Sequence, residues 1–268
     1  MNKWFALIGF LVLGLVADLL TIFLGSQSAS AASPCVEKRY QKVSYVVCTV
    51  DLRAYRVRLF WKDEQQQPFG GFDHLPRRIE DGQIVFAMNA GMYEEDLSPV
   101  GLYVEDGKTL RPANRRSGSG NFYLKPNGVL YITGQDAGIA TTDRFVAERF
   151  RVDFATQSGP MLVIDGRTNP RIKPGSTSAK IRNGVGIQDQ HTLVFAISKE
   201  PVSFWNFAQL FRLGLESRSA LFLDGSISSL YAPALHRSVG RHHVAGISQD
   251  EKFSGFGLRH QGRIHTGI

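Results

Sequence analysis

Two apolar segments of the sequence end in a polar side chain that is followed closely by glycine. One leads into Asn89-Ala90-Gly91 and the other into Asp224-Gly225. A polar residue at the end of a buried strand has little conformational freedom, and the glycine lets the chain turn or lets a ligand approach the backbone. Because catalytic groups must be held still, Asn89 and Asp224 are candidate catalytic residues. The alternative is an ordinary β-turn, since Asp-Gly and similar pairs are common turn formers.

A third apolar run, over residues 161–164, leads into Asp165-Gly166-Arg167. This pair lies in a polar stretch of sequence, which is typical of a hairpin tip. We therefore predict an ordinary turn at Asp165 and no catalytic role.

Two other segments carry groups that suit ligand binding. Ser158-Gly159 precedes the apolar run at Met161 and is typical of a loop with an exposed backbone, which makes both residues candidates for substrate contacts. Arg182 stands just before a strand with spaced glycines. Its rigid, permanently charged guanidinium suits phosphate. The alternative for Arg182 is a salt bridge at the surface.

The elements that must position these residues are mostly strands. Segments rich in β-branched residues, or with alternating apolar and charged residues, predict strands, and the 27 glycines indicate tight turns. The predicted strands cover residues 45–50, 55–61, 84–88, 161–164, 184–187, 192–197 and 220–223. Hairpins are expected at 188–191 and at 125–128, where Asn127-Gly128 would supply positive φ between strands at 121–124 and 129–132.

One segment is predicted to be helical. Phe204, Phe207 and Phe211 recur at three- and four-residue steps and form one apolar face. Ser203 can cap the start, and the helix should end near Arg218. The predicted fold class is therefore α+β, a sheet-rich single domain with few helices.

The N-terminus predicts export from the cytoplasm. Lys3 precedes an almost wholly apolar run over residues 4–24, and Ala29 and Ala31 offer an Ala-x-Ala cleavage site. These are the three parts of a secretory signal. The run approaches the ~20 residues that span a bilayer, so an uncleaved membrane tether is the alternative. We divide the chain into a signal or anchor at 1–31 and one domain at 32–268, located in the periplasm or outside the cell.

Cys35 and Cys48 lie close together just after the predicted signal. In an oxidising compartment such a pair is expected to form one local disulfide. Two unpaired buried thiols are the alternative.

The formal net charge of +7 favours anionic partners such as phosphorylated glycans, teichoic-type polymers or lipid headgroups. The basic residues are spread along the chain without a long run, so nucleic acid is not an expected partner.

Several other chemistries lack their signatures. No Gly-x-Ser-x-Gly follows a buried strand, as a lipase-like serine hydrolase would require. Gly107-Lys108-Thr109 lacks the upstream glycine of a P-loop, because Leu102 stands there. His242 and His243 are adjacent rather than spaced for zinc. We expect no metal and no cofactor, with calcium near the acidic loops as the alternative.

Taken in order along the chain, four motifs resemble the phosphodiester glycosidase family. They are Asn89-Ala90-Gly91-Met92-Tyr93, Ser158-Gly159-Pro160, Arg182-Asn183-Gly184-Val185-Gly186 and Leu223-Asp224-Gly225-Ser226. Each motif is weak alone, and the ordered set is fairly specific over roughly residues 80–260. Three places depart from the usual family pattern: Ala90 replaces a glycine, Asn183 replaces a threonine, and Ser226-Ile227-Ser228 replaces a glycine run.

The resemblance implies hydrolysis of a sugar-1-phosphodiester at its anomeric carbon, with a phosphorylated glycan as the substrate. In the implied mechanism Arg182 binds the phosphate, and Asn89 orients a sugar hydroxyl or the phosphate. Asp224 acts at the anomeric carbon, as nucleophile or as base for water, where a carboxylate stabilises an oxocarbenium-like state.

The remaining implied site residues would contact the substrate through hydroxyl or backbone groups, or through the Tyr93 ring. They are Ser158, Gly159, Gly91, Tyr93, Gly225 and Ser226. Glu94, Glu95 and Asp96 offer a second carboxylate, although three acids in a row are also typical of a solvated loop. The alternative function is a non-catalytic envelope module that binds an anionic glycan.

Overall fold

Three antiparallel sheets enclose a shared apolar core. The structure, a computed structural model, describes residues 33–75, 78–79, 82–224, 228–235, 237–239 and 255–260. All strand pairings among these residues are antiparallel. The largest core cluster draws side chains from all three sheets, among them Phe86, Leu130, Phe195 and Leu221. The α+β, sheet-rich class predicted from the sequence is confirmed.

The first sheet has seven strands and carries most of the predicted motifs. Its strands are β1 (Cys35–Tyr40), β2 (Val43–Asp51), β11 (Met161–Ile164), β12 (Arg167–Thr168), β13 (Asn183–Asp189), β14 (Thr192–Ser198) and β15 (Ser219–Phe222). Their spatial order is β1-β2-β14-β13-β15-β11-β12. Buried β15 therefore lies between β13 and β11, which brings three motifs onto neighbouring strands.

The other two sheets complete the walls of the core. The second holds β6 (Tyr103–Glu105), β7 (Lys108–Arg111), β8 (Gly128–Thr133), β9 (Asp136–Thr141) and β10 (Phe154–Ser158), in the order β7-β6-β10-β8-β9. The third holds β3 (Tyr55–Phe60), β5 (Gly82–Asn89), β16 (Leu230–Ala232), β17 (Arg237–Val239) and β18 (Gly255–His260), in the order β17-β16-β5-β18-β3. A short β4 (Arg78–Ile79) pairs with β5.

A short helix covers the outer face of the first sheet. Helix α2 (Phe204–Gln209) begins after Ser203, whose side chain accepts a hydrogen bond from Asn206 N. The predicted position and cap are thus confirmed, but the predicted end near Arg218 is wrong. The helix passes into a π-helical turn, Leu210–Gly214. Glu216 then takes a positive φ of 51°, which turns the chain into β15.

A second helix, α1 (Thr142–Glu148), was not predicted. Its side-chain cap is Thr141, which accepts from Arg144 N at 3.2 Å. Seven residues are too few to display the 3.6-residue apolar period on which a sequence-based prediction depends. Two short 3-10 segments, Asn121–Tyr123 and Pro233–Leu235, complete the helical elements of the described chain.

The predicted turns divide into two that form and one that does not. The hairpin around Gln188–His191 joins β13 and β14, and Asp165–Gly166 forms the tip between β11 and β12, as predicted. The hairpin predicted at 125–128 is wrong. Gly128 lies within β8, opposite Thr141 and Ser158, so it belongs to the sheet rather than to a turn.

The two cysteines are bonded, as predicted. Cys35 and Cys48 face each other across the β1–β2 ladder and form a disulfide that closes a separation of 13 residues. The alternative of two free thiols is therefore wrong.

The predicted signal or tether over residues 1–31 lies outside the described residues and stays a prediction. Within the described part of the chain, no helix is both long enough and apolar enough to span a bilayer.

Candidate functional site

The predicted motifs meet at the end of β15 that carries Asp224. Phe222 N donates to the carbonyl oxygen of Pro160 at 3.1 Å, which brings the Ser158 motif beside β15. The Asn89 side chain donates from Nδ2 to the carbonyl oxygen of Asp224 at 3.0 Å. Segments about 65 or more residues apart in sequence therefore share one region of the fold.

The Arg182 motif reaches the same region along β13. Gly184 is the register partner of Phe222, and Leu223 N donates to Asn183 O at 3.1 Å. Continuing this ladder by one more residue in each strand places the backbone of Arg182 opposite that of Asp224. The two candidate charged residues therefore lie at the same end of two neighbouring strands.

Asn89 is completely buried and its side chain is engaged by the protein. Its Oδ1 accepts from Asn183 Nδ2 at 3.0 Å and from Ser229 N at 2.8 Å, while its Nδ2 donates to Asp224 O. One N–H of this amide remains for other partners. The structure thus places Asn89 in support of the Asp224 backbone, and its predicted contact with a substrate would use that single N–H.

Two residues that the sequence interpretation did not select complete this arrangement. Asn183 Nδ2 also donates to Asn89 O at 2.8 Å. Ser228 Oγ lies 2.9 Å from Asp224 O and 3.1 Å from Asn183 Oδ1. The sequence offers one signal for Asn183, a polar residue at the start of an apolar strand, and none for Ser228.

Arg182 is only 1% exposed, so the predicted alternative of a surface salt bridge is wrong. Its guanidinium lies 3.6 Å from the ring centroid of Phe204 and 5.4 Å from that of Phe222. Nε donates to Val202 O at 2.8 Å and Nη2 to Ser178 O at 3.1 Å. Burial lowers the pKa of Arg182 to about 10, which leaves the group charged at neutral pH.

The charge of Arg182 is not neutralised by an ion pair with any described residue. A guanidinium has five N–H donors, and two of those on Arg182 are used. Since a buried cation without a compensating charge is costly, the arrangement is suited to an anionic ligand.

Ser158 is buried at the end of β10, and its Oγ has no hydrogen-bond partner among the described residues. An orphaned buried hydroxyl is uncommon because it forfeits the hydrogen bonds that water would supply. Its position beside β15 is consistent with the predicted substrate contact, which stays a prediction.

Two of the three predicted glycines of the site are required by packing. A Cβ on Gly91 would lie 2.5 Å from Thr156 Oγ1 and 2.6 Å from Gln157 O. A Cβ on Gly159 would lie 2.7 Å from Asn127 Cβ. Close approach of one backbone to another therefore explains both glycines, and their proposed contacts with a ligand remain untested.

Tyr93 and the three acidic residues that follow it lie in the connection between β5 and β6. Tyr93 is half-buried and forms an isolated bridge with Pro99. Glu94, Glu95 and Asp96 are exposed, as expected of a solvated loop, and hydrogen bonds from Ser98 lower the pKa of Asp96. Gly225 and Ser226 lie outside the described residues. The sequence-based expectation of no metal is not decided, although no group of three acidic, histidine or cysteine side chains in the described ranges could hold one.

An open cavity of about 420 Å³ is lined in part by Asn127, the residue against which Gly159 packs. Two cations line it, but both are already engaged. Arg115 forms an ion pair with Asp143 at 3.0 Å, and Lys125 Nζ donates to Asn127 Oδ1 at 3.2 Å. The buried, unpaired Arg182 is therefore the stronger candidate for binding an anion.

Comparison with known proteins identifies the class. The profile of the phosphodiester glycosidase family matches residues 82–252, which include every motif of the site. The chain belongs to the phosphodiester glycosidase family, as the resemblance of its motifs predicted.

Two relatives illustrate the range of this similarity. The uncharacterized protein YigE of Escherichia coli (strain K12) is 37% identical over 224 residues, which cover 83% of this chain and 87% of that protein. The catalytic domain of zebrafish N-acetylglucosamine-1-phosphodiester alpha-N-acetylglucosaminidase, auto-inhibited by its pro-peptide, has a similar fold with a TM-score of 0.53. It is 14% identical, and the match covers 85% of this chain and 82% of that domain.

Proposed function

We propose that this chain is an exported hydrolase that cleaves a sugar-1-phosphodiester at the anomeric carbon of a phosphorylated glycan. Family membership supports a glycosidase-type activity. The observation that carries the finer proposal is the buried Arg182, which forms no ion pair with a described residue and precedes the strand that pairs with the one leading into Asp224.

The two groups have complementary tasks. Arg182 binds the anionic phosphate and stabilises it as the leaving group when the bond from the anomeric carbon to oxygen breaks. Asp224 stabilises the oxocarbenium-like state. It acts either as a nucleophile that forms a glycosyl-enzyme, which water then hydrolyses, or as a base that takes a proton from the attacking water. Because the departing phosphate keeps the electron pair as a stable anion, the reaction needs no strong general acid.

Two other features of the chain support the proposed compartment and partners. The Cys35–Cys48 disulfide supports an oxidising location outside the cytoplasm, either free or tethered through residues 4–24. The net charge of +7 favours an anionic glycan; nucleic acid is not a proposed partner. The mechanism uses no cofactor. A chelator should leave the rate unchanged, and a loss of activity that calcium restores would contradict this part of the proposal.

The test is hydrolysis of a panel of sugar-1-phosphodiesters by the wild-type chain and by Asp224→Asn. The matched control is Asp165→Asn, which changes an Asp-Gly pair at the tip of a hairpin. We expect product from the wild type and the control, with kcat of Asp224→Asn reduced by about a hundredfold to ten-thousandfold. Full activity of Asp224→Asn would exclude its catalytic role. Saturable glycan binding by the folded wild type without any released product would instead favour the non-catalytic binding module.

A further inference from the structure

Three buried side chains surround the backbone of Asp224 and bond to one another. They are Asn89, Asn183 and Ser228, and none is more than 5% exposed. We propose that Asn183 and Ser228 are positioning residues that fix the Asp224 carboxylate for the reaction. Asn183 acts through Asn89, and Ser228 acts both through Asn183 and directly on the carbonyl oxygen of Asp224. This inference rests on the proposed catalytic function of Asp224.

Asn89 binds the backbone at both Asp224 and Ser229. Its Nδ2 donates to the carbonyl oxygen of Asp224 at 3.0 Å, and its Oδ1 accepts from the amide of Ser229 at 2.8 Å. One amide plane therefore binds the backbone at two places five residues apart. Both bonds form only when Oδ1 and Nδ2 point in the observed directions, so the orientation of this amide decides whether the backbone is held.

Asn183 sets the orientation of the Asn89 amide. Asn183 Nδ2 lies 2.8 Å from Asn89 O and 3.0 Å from Asn89 Oδ1. The Asn183 N–H can bond only to the oxygen of the Asn89 side-chain amide. If the Asn89 amide were flipped, two N–H groups would face each other. The Asn89 Nδ2 is thereby directed to Asp224 O.

Ser228 in turn sets the orientation of Asn183. The hydroxyl of Ser228 lies 3.1 Å from Asn183 Oδ1 and 2.9 Å from Asp224 O. A hydroxyl has one hydrogen and donates to one acceptor at a time. When the hydroxyl donates to Asn183 Oδ1, it holds that oxygen on its own side and leaves Nδ2 facing Asn89. When it donates to Asp224 O, it holds that carbonyl group directly.

Such a network suits the control of a reacting group better than apolar packing. Fully bonded buried polar networks rigidify their surroundings, and catalytic groups must be held to within about 0.5 Å. The network bonds to the carbonyl oxygen of Asp224 itself. It therefore fixes the backbone from which the carboxylate projects.

The first experiment compares Ser228→Ala with Ser217→Ala. Ser217 Oγ is equally buried but has no hydrogen-bond partner among the described residues, so it controls for the loss of a buried hydroxyl. We expect Ser228→Ala to lower kcat by about tenfold to a hundredfold with KM within about twofold, because a small displacement of a reacting group acts on turnover. Ser228→Thr, which keeps the hydroxyl, should recover most of the rate, and Ser217→Ala should match the wild type.

The second experiment does not depend on turnover. It measures hydrogen exchange at the Ser229 amide, which donates to Asn89. Exchange should be faster in Ser228→Ala and in Asn183→Asp than in Ser217→Ala and Asn169→Asp. Asn169 is a buried amide outside the network, which donates to Met161 O at 2.8 Å. Should Asn183→Asp fail to fold, Ser228→Ala carries the test alone.

The outcomes separate this inference from the function on which it rests. An active wild type in which Ser228→Ala behaves like Ser217→Ala in both experiments overturns the positioning role and leaves the proposed function standing. A wild type without turnover on the whole panel overturns the proposed function, and the catalytic role of the network with it.

Discussion

The adjacent strands β11 and β15 both run into an Asp-Gly pair, yet the two aspartates have different surroundings. β11 ends at Asp165, which is exposed and has a φ of +46°, and Gly166 follows with a φ of +76°. Positive φ at both central residues is the geometry of a two-residue hairpin turn. The backbone conformation of the turn accounts for this pair without any further role.

Asp224, at the end of β15, lies at the opposite end of the same ladder and is 9% exposed. Its carbonyl oxygen accepts from Asn89, 135 residues away in the sequence. Its backbone also lies opposite the buried Arg182. The same Asp-Gly pair therefore follows both strands, yet one aspartate is solvated and the other is buried with a hydrogen-bonded backbone. The difference comes from residues that are distant along the chain.

The largest difference between the two ends of the β11–β15 ladder is expected when one arginine is changed at each end. Arg182 belongs to the Asp224 end, and Arg212 to the Asp165 end, where its Nε donates to Gly166 O at 3.0 Å. Arg182→Lys keeps the charge but loses the planar fork and the stacking on Phe204. Losing one charge-assisted hydrogen bond costs roughly 1.5–3 kcal/mol, so kcat/KM should fall about tenfold to a hundredfold.

The control for this pair is Arg212→Lys, which should stay within about twofold of the wild type because its partner is an exposed turn. Both variants are first compared with the wild type by thermal unfolding, so that a loss of fold is not mistaken for a loss of phosphate binding. Equal kcat/KM values for the two variants would remove Arg182 from the proposed mechanism.

A smaller effect distinguishes the glycines at the two ends. Gly91, beside the site, has no space for a side chain, since a Cβ would meet the backbone oxygen of Gln157 at 2.6 Å. Gly166 has open space but a φ of +76°. Overpacking against backbone should make Gly91→Ala cost about 3 kcal/mol, whereas the left-handed conformation should make Gly166→Ala cost about 1 kcal/mol. Denaturant midpoints measure both, and a larger loss for Gly166→Ala would show that the contact at Gly91 relaxes easily.

Local patterns in the sequence predicted most of the strands, and they indicated which strand ends carry candidate functional residues. The cap at Ser203, the turn at Asp165 and the Cys35–Cys48 pair depend on residues close in sequence, and all three were predicted. The turn at Asn127-Gly128 was wrong for the opposite reason. Gly128 pairs with Ser158, and Asn127 donates to Phe122 O and accepts from Thr142, so long-range pairing overrides local turn preference.

The candidate site shows the same division between features set by local sequence and features set by long-range contacts. The sequence selected Asn89, Ser158, Arg182 and Asp224, and the structure brings their segments together. It did not reveal the burial of Arg182 between aromatic rings, which depends on the register between β13 and β15 and on the position of α2. Nor did it select Asn183 and Ser228, because a polar residue gains such a role only from partners that folding supplies.

The smallest expected effect concerns a third Asp-Gly turn, where a substitution should change stability but not activity. Glu105 ends β6, and Asp106 and Gly107 follow with φ values of +47° and +74°. The pKa of Glu105 is raised to about 7, mainly by burial and also by the charge of Asp106, while the hydrogen bond from Tyr103 Oη at 2.9 Å opposes the shift.

Because the folded state holds this proton more tightly than the unfolded chain does, the stabilising contribution of Glu105 is complete below about pH 4.5. It is lost as the pH rises through about 7. Glu105→Gln mimics the protonated form, so its melting temperature should match the wild type at pH 4.5 and exceed it by about 2–4 °C at pH 8. The pH dependence of kcat should stay unchanged, since Glu105 belongs to the second sheet. If the melting temperature of Glu105→Gln differed from that of the wild type by the same amount at both pH values, packing and not the ionisation of Glu105 would govern the stability of this turn.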